Sequence, residues 1–356
     1  MIPCGAATSG ASLSDRSGSG TARAAIYGCA GPALTARERR FFEDADPVGF
    51  ILFARNCENP DQVRALVEAL RATVAREDVL VLIDQEGGRV SRLKPPHWPA
   101  RPAAERFVEI ACRDRAKGIE AARLNARLMA RDLADLGINV DCAPVLDVLQ
   151  PETHDVIGDR AYGEDPEMVA TLGRAVAEGL MDGGVLPVIK HIPGHGRATV
   201  DSHEALPVVD ADRATLDRVD FAPFRALADM PLAMTAHITY RAIDPQNPAT
   251  LSPRLVADVI RGAIGFDGVL MSDDLSMKAL AGTLGERVRR SLGAGCDVVL
   301  HCNGRLEEME AVREATPPLL PEGARRLARA FTRIEPPRAF DGAAAERALD
   351  ALLARA

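Results

Sequence analysis

The stretch Val188-Ile189-Lys190-His191-Ile192-Pro193-Gly194-His195-Gly196, followed by Asp201-Ser202-His203, decides the fold prediction. An apolar run over residues 185–189 leads directly into Lys190 and His191, and then into a loop with two glycines and a proline. This pattern indicates a buried strand that delivers polar groups at its carboxyl end. Barrels of alternating strands and helices carry their chemistry at that end of the strands.

Two ionisable residues of the following loop, Asp201 and His203, are separated by one serine. If the turn folds back, the carboxylate can orient the imidazole and stabilise its charge. Loop aspartates and histidines are more often simply solvated, so the triplet alone is weak evidence of catalysis.

Eight short apolar runs alternate with segments that begin with helix-capping residues. Thr35 and Glu38 form a capping box. Asn59, Asp165 and Ser252 each precede a proline in a first helical turn. Alternating strands and helices require parallel pairing, so the sequence predicts an α/β protein, a single-domain (β/α)8 barrel of the TIM type. The alternative is a doubly wound open sheet, but no G-x-G-x-x-G follows an early strand. The runs are Ala25–Cys29, Val48–Phe53, Val79–Ile83, Asn139–Val145, Val185–Ile189, Leu232–Ile238, Gly268–Met271 and Asp297–Leu300.

The two ends of the chain differ in composition from its middle. Residues 1–22 are rich in serine and glycine and too poor in large apolar side chains to repay ordering, which predicts a flexible tail. Residues 23–356 would form the catalytic barrel together with a C-terminal, alanine-rich helix over 343–353, packed outside the strands.

Composition excludes several classes of partner. The 356 residues carry a net charge of −8 with no dense Lys/Arg block, so we expect no nucleic-acid partner. Seven scattered cysteines without a C-x-x-C indicate neither a disulfide framework nor a zinc knuckle. The sequence has no apolar run long enough to span a bilayer and no secretory signal pattern, which favours a cytoplasmic protein without a membrane partner.

Polar residues also follow other predicted strands. The third strand leads into residues 84–92, where two glycines permit a tight turn between carboxylates and guanidinium groups. Arg160 lies in the loop after the fourth strand, and His237 ends the sixth run, where a satisfied core histidine is the simpler interpretation. Asp273 and Asp274 follow the seventh strand, and buried carboxylates are costly unless they are hydrogen-bonded or used. Capping of a helix is the alternative role for Asp274.

Metal chemistry and a serine nucleophile both lack a supporting pattern. His191, His195 and His203 do not have H-E-x-x-H spacing, and the nearby acids complete no ligand set, so we expect neither metal nor cofactor. Ser202 lies in a loop, and the sequence contains no G-x-S-x-G elbow.

Three motifs together resemble the bacterial β-N-acetylglucosaminidases (β-hexosaminidases) of glycoside hydrolase family 3. They are K-H-I-P-G-H-G at 190–196 with D-S-H at 201–203, D-Q-E-G-G-R-V at 84–90, and S-D-D-L-S-M at 272–277. Their order along the chain is that of the family, and the resemblance covers about residues 25–335. It implies the single-domain form, a (β/α)8 barrel without the second sandwich domain of many relatives.

The resemblance also implies roles for individual residues. Asp273 matches the nucleophile, His203 the unusual histidine acid/base, and Asp201 its carboxylate partner. The departures are Ile192, where phenylalanine is commoner, and the Ser/Gly-rich tail. The positions that match those holding the sugar hydroxyls are Asp84, Arg92, Arg160, Lys190 and His191.

By this resemblance the chain is a retaining, exo-acting hydrolase that removes terminal β-linked N-acetylglucosamine through a covalent glycosyl–aspartate. The implied small-molecule substrates are N-acetylglucosaminyl-anhydromuramyl peptides from peptidoglycan recycling. Three alternatives stay open: a phosphorylase, a substrate-assisted hexosaminidase, and a sugar-binding module without activity. The oligomeric state also stays open, with a monomer expected.

Overall fold

The computed structural model describes residues 22–354, so the predicted N-terminal tail lies outside the described residues except for its last position. The strands are β1 (Arg23–Gly28), β2 (Pro47–Leu52), β3 (Leu80–Ile83), β4 (Gln85–Gly87), β5 (Val90–Ser91), β6 (Val140–Asp141), β7 (Leu186–Ile192), β8 (Val208–Val209), β9 (Leu232–Thr235), β10 (Thr239–Tyr240), β11 (Val269–Asp274) and β12 (Val298–His301). Eight of them pair in parallel and close into a barrel in the order β1-β2-β3-β6-β7-β9-β11-β12. The (β/α)8 prediction is therefore confirmed.

Each of the eight predicted runs overlaps one barrel strand, but four strands end three or more residues from the predicted end: β6 and β9 end earlier, and β7 and β11 end later. Strand β6 has two residues instead of seven. Pro144 has no N–H to donate, but its carbonyl and that of Ala143 still accept from Lys190 and Val188 of β7. An isolated bridge between Val145 and Lys190 continues the pairing beyond it. Strand β7 runs on to Ile192, so Lys190 and His191 are among its last three residues.

The helices begin where the capping residues predict. Thr35 Oγ1 accepts from the Glu38 N–H at 3.2 Å, and the Glu38 carboxylate accepts from the Thr35 N–H at 2.9 Å. Ser252 accepts from the Leu255 N–H, but the segment Leu255–Ala263 that follows is π-helical. No helix within residues 22–354 is long and apolar enough to cross a membrane. The helices are α1 (Ala36–Ala45), α2 (Pro60–Arg71), α3 (Ala104–Arg113), α4 (Arg115–Ala134), α5 (Pro166–Asp182), α6 (Arg213–Arg218), α7 (Ala222–Ala226), α8 (Leu284–Ala294), α9 (Leu306–Ala315), α10 (Pro321–Phe331) and α11 (Gly342–Leu353).

Alternate residues of the strands build two apolar layers. Ile26, Leu82 and Val188 belong to the cluster that fills the barrel, whereas Val81 and Ile189 belong to the layer beneath the helices. Both faces of the strands are buried, as in other parallel sheets. Close packing on both faces makes the strand ends fixed positions for functional side chains.

Helix α11 packs against α4 and is tied to a loop near the barrel mouth. The buried guanidinium of Arg101 donates to the Glu346 carboxylate of α11 at 2.8 and 2.9 Å and to Asp132 at 3.1 Å. The carbonyl of Arg101 accepts from the Gly88 N–H, in the turn between β4 and β5. The predicted helix at the C-terminus is therefore connected to the β4–β5 hairpin through one residue.

Candidate active site

A cavity of about 330 Å³ opens at the carboxyl ends of the barrel strands. Seven of the eight residues singled out in the sequence line it, although they come from five separate parts of the chain. Asp201 does not line the cavity but hydrogen-bonds to a residue that does. The seven lining residues are Asp84, Arg92, Arg160, Lys190, His191, His203 and Asp273.

The floor of this cavity is a cluster of five charged side chains. Lys190 Nζ lies 2.9 Å from Asp84 Oδ1 and 2.6 Å from Glu86 Oε1. Arg160 donates two hydrogen bonds of 2.8 Å to the two oxygens of Glu86, and Arg92 donates to Asp84 at 3.0 Å. Paired N–H donors on a carboxylate fix direction as well as distance. Three cations and two carboxylates therefore hold one another in place.

Burial and ion pairing oppose each other within the floor cluster. Burial raises the pKa of Glu86, but Arg160 and Lys190 lower it more, to about 2. The pKa of Asp84 is likewise below its usual value, because Lys190 and Arg92 outweigh burial. Burial lowers the pKa of Lys190, yet Asp84 and Glu86 raise it above its ordinary value. All three groups are charged at neutral pH.

Beside this cluster, Asp147 orients His191. Its Oδ2 lies 2.7 Å from His191 Nδ1, and its Oδ1 accepts from the backbone N–H groups of His191 and His195 at 3.2 and 2.6 Å. Burial opposes ionisation of Asp147, but the two histidines lower its pKa to about 2. An ionised Asp147 keeps a proton on His191 Nδ1 and leaves Nε2 for a ligand in the cavity.

Asp273 and Asp274, at the end of β11, have different surroundings. Asp273 reaches the cavity, and its Oδ1 accepts from the Asp274 N–H at 2.7 Å. Burial raises the pKa of Asp273, but His237, His191 and this N–H together hold it below its usual value. The carboxylate of Asp274 instead accepts from the backbone and hydroxyl of Ser276 at 3.0 and 2.6 Å. Asp274 therefore stabilises a turn, not a helix start, and Asp273 is the ionised group open to a ligand.

His237 is a core histidine, as its place in an apolar run favoured. The ring is fully buried, with Nδ1 2.7 Å from Thr250 Oγ1 and Nε2 3.0 Å from the Asp274 carbonyl. Burial lowers its pKa. With both nitrogens engaged, the ring supports the strand end that carries Asp273.

The loop after β7 brings the predicted acid–base pair to the cavity. Asp201 Oδ1 accepts from the His203 N–H and lies 2.8 Å from His203 Nδ1. These bonds hold the pKa of Asp201 below its usual value despite its partial burial. The His203 side chain is 66% exposed, and it is close enough to Asp273 to contribute to lowering that residue's pKa. The imidazole and the carboxylate thus face one space.

Sequence reasoning missed two residues of the site. Asp147 follows the fourth predicted run by two residues, so the rule about strand ends could have identified it. Glu86 was quoted within its motif but given no role, and nothing local shows that it binds both Lys190 and Arg160 from distant segments. Within residues 22–354, no group of three potential metal ligands comes together.

A parallel barrel whose strand ends surround one small, charged cavity is the usual site architecture of a TIM-barrel enzyme. The "Glycosyl hydrolase family 3 N terminal domain" matches residues 32–334. A beta-hexosaminidase of Alkalilimnicola ehrlichii is 40% identical over 308 residues, or 85% of this chain and 87% of that protein.

Solved structures give the same result. Native NagZ from Neisseria gonorrhoeae has a TM-score of 0.82 at 33% identity, over 94% of this chain and 96% of that one. NagZ in complex with N-trifluoroacetyl-D-glucosamine gives the same score and identity, over 94% and 97%. The chain therefore belongs to glycosyl hydrolase family 3, and its enzyme class is β-N-acetylhexosaminidase.

Proposed function

We propose that the chain is a retaining, exo-acting β-N-acetylglucosaminidase in which Asp273 is the nucleophile and His203, paired with Asp201, is the acid/base. The observation that carries the proposal is that an ionised Asp273 and the Asp201-bound His203 border one cavity of about 330 Å³. A pocket of this size is at the small end for ligand sites, which suits a single terminal sugar ring.

In the first step, Asp273 attacks the anomeric carbon while His203 gives its proton to the departing glycosidic oxygen. In the second step, His203 takes a proton from water, the water oxygen attacks the same carbon, and the bond to Asp273 breaks. Retaining glycosidases commonly use two carboxyls about 5–5.5 Å apart for these roles. Here an imidazole replaces one of them, and Asp201 Oδ1 beside Nδ1 leaves Nε2 to exchange the proton.

The floor cluster would bind the sugar ring. Asp84 accepts one hydrogen bond on each oxygen and keeps lone pairs for sugar hydroxyls, whereas Arg92, Arg160 and Lys190 are donors. His191 would offer Nε2. Because these groups are already held by ion pairs, sugar binding requires little reordering of the floor.

For the natural substrate we propose N-acetylglucosaminyl-anhydromuramyl peptides of peptidoglycan recycling, hydrolysed by a cytoplasmic, monomeric enzyme whose catalytic unit is residues 23–356. The complex of the Neisseria protein with N-trifluoroacetyl-D-glucosamine supports the sugar part of this substrate. The motif resemblance supports the remainder. Release of N-acetylglucosamine from purified anhydromuropeptides, compared with chitin oligosaccharides, tests it. A preference for the oligosaccharides would contradict the peptidoglycan assignment.

Product analysis of 4-nitrophenyl β-N-acetylglucosaminide turnover tests the mechanism. We expect free N-acetylglucosamine with retained configuration, whether or not phosphate is present, and labelling of Asp273 by a fluorinated glycosyl inhibitor. Formation of the sugar 1-phosphate would instead identify a phosphorylase. Strong inhibition by a thiazoline without labelling of Asp273 would identify substrate-assisted cleavage. Binding without turnover would identify a sugar-binding module.

A further inference from the structure

The loop that carries the acid–base pair touches the barrel at very few points. Of residues 199–206, only Ser202 is buried. Val200 and Leu206 are among the four large apolar side chains that are exposed in the described part of the chain. Apolar packing therefore does not fix this segment.

One hydrogen bond joins residues 199–206 to the rest of residues 22–354. It connects Ser202 Oγ to His195 Nε2 over 3.1 Å. The remaining hydrogen bonds of the segment are internal: Asp201 accepts from His203, Glu204 and Ala205. Between its buried flanking residues Ala198 and Pro207, this one hydrogen bond holds the segment against the rest of the described chain.

His195 is itself firmly placed. Its ring is buried beside the cavity, and its backbone N–H donates to Asp147 Oδ1 at 2.6 Å. The same carboxylate orients His191. The Asp147 carboxylate therefore fixes the positions of two residues: His191, which would bind the sugar, and His195, which anchors the acid–base loop.

The His195 ring is neutral at physiological pH. Burial, the largest cause, lowers its pKa to about 4. Its Nδ1 is buried without a partner in the described residues. An unpaired buried N–H costs more than an unpaired lone pair, so the single ring proton belongs on Nε2, which then donates to the Ser202 hydroxyl.

We infer that His195 and Ser202 form a clasp that holds Asp201 and His203 over the cavity. His195 and Ser202 are then positioning residues for proton transfer by His203. The inference rests on the proposed function, specifically on His203 as the acid/base. Its consequence is selective: a loosened clasp slows the steps that need the proton and leaves sugar binding by the floor unchanged.

Ser202→Ala removes the contact and leaves the buried imidazole in place. For an alkyl β-N-acetylglucosaminide, whose leaving group needs protonation, we expect kcat/KM to fall about five- to tenfold, the factor for one ordinary hydrogen bond. For the activated 4-nitrophenyl glycoside we expect a change of less than about twofold, because a good leaving group needs little protonation. Ser202→Thr, which keeps a hydroxyl, should restore most of the loss.

Glu204→Ala is the matched control, because its exposed side chain lies in the same loop and its hydrogen bond to Asp201 uses the backbone N–H. This variant should leave both substrates unchanged. Hydrogen exchange provides a second measurement: amides of residues 199–206 should exchange faster in Ser202→Ala than in the wild type, while those of β7 do not change.

His203→Ala separates the two possible failures. If that variant loses equal activity on both substrates, His203 is not the proton donor and the proposed function fails. The other outcome is that His203→Ala lowers kcat/KM mainly for the alkyl glycoside, but Ser202→Ala lowers it equally for both substrates or for neither. The mechanism then stands and the clasp is wrong. Unchanged exchange of the loop amides in Ser202→Ala would also overturn the clasp.

Discussion

The floor of the active site and the loop above it are built in opposite ways. On the floor, Lys190, Glu86 and Asp84 are largely buried, sit in strands or beside them, and are joined by several ion pairs. In the loop, His203 is mostly exposed, and a single hydrogen bond ties its segment to the rest of residues 22–354. Recognition of a sugar profits from fixed donors and acceptors, whereas a proton donor above the sugar must let substrate in and product out. The floor is accordingly anchored by several ion pairs and the loop by one hydrogen bond.

The largest expected effect concerns Asp273, which faces both regions. Asp273→Ala should lower kcat by more than about 10⁴-fold, because no glycosyl ester can form without the nucleophile. The melting temperature should hardly change, since the carboxylate's only hydrogen bond in the described chain is to the neighbouring N–H. Steady-state kinetics and thermal unfolding check this.

Asp274→Ala is the control for Asp273→Ala. It should retain far more activity but unfold at a lower temperature, because the carboxylate caps the turn at Ser276. Comparable loss of kcat in the two variants would mean that the assignment of the nucleophile is wrong.

The next largest expected effects are those of substitutions in the loop. His203→Ala should slow alkyl glycosides by about 10²–10⁴-fold, the usual contribution of a general acid, and activated aryl glycosides much less. Asp201→Asn should show a milder form of the same selectivity, because it weakens the partner of Nδ1 without removing the ring. A plot of log kcat against leaving-group pKa measures both, and parallel lines for variant and wild type would return His203 to a role in loop structure.

On the floor, Lys190→Ala should reduce kcat/KM by about 10²–10³-fold, or about 3–4 kcal/mol of transition-state binding. It should also lower stability, because Asp84 and Glu86 would remain buried with fewer counter-charges. Kinetics and denaturant unfolding together measure the two effects. Unaltered kinetics with reduced stability would leave Lys190 as a structural ion-pair partner only.

The smallest expected effect is on the pH dependence of the free energy of unfolding, which should differ between the floor and the loop. The pKa of Glu86 is lowered to about 2, so its contribution to stability is complete above its ordinary value near 4.5 and is lost as pH falls toward 2. Glu86→Gln should therefore be less stable than the wild type by about 2–3 kcal/mol at pH 7, and the gap should narrow between pH 4.5 and 2.

The loop offers the control for this pH dependence. Asp201 also has a lowered pKa, but its pair with His203 is exposed to solvent, so Asp201→Asn should change stability little at any pH. Urea unfolding at several pH values checks both variants. A stability difference between Glu86→Gln and the wild type that does not change with pH would contradict stabilisation of the Glu86 carboxylate by Arg160 and Lys190.

What the sequence could predict depended on whether a feature rests on residues that are close together along the chain. Strand runs, capping boxes and the residues at strand ends follow local patterns, so the barrel and the lining position of Lys190, His191 and Asp273 could be predicted. Thr35 with Glu38 shows this for a helix start, since capping depends on residues only three apart.

Contacts between distant segments could not be predicted in this way. Glu86 binds Arg160 across 74 positions, and Asp147 binds His191 across 44. Such partners are fixed by the closure of the barrel, which no local pattern expresses. The length of β6 was wrong for a different reason: the apolar pattern runs on to Val145, whereas the regular strand stops at Asp141 and pairing with β7 resumes only through the Ala143 and Pro144 carbonyls and a bridge at Val145.

Arg101, whose guanidinium is buried, links helix α11 to the part of the site that would bind the sugar. It binds Glu346 in α11, and its own carbonyl holds Gly88 in the hairpin that carries Glu86. Truncation before residue 342 would leave this cation buried with Asp132 alone and loosen the hairpin from behind. A shortened enzyme would then lose substrate affinity before it lost its barrel. Selection acting on catalysis can therefore constrain Glu346, a position that never meets the sugar.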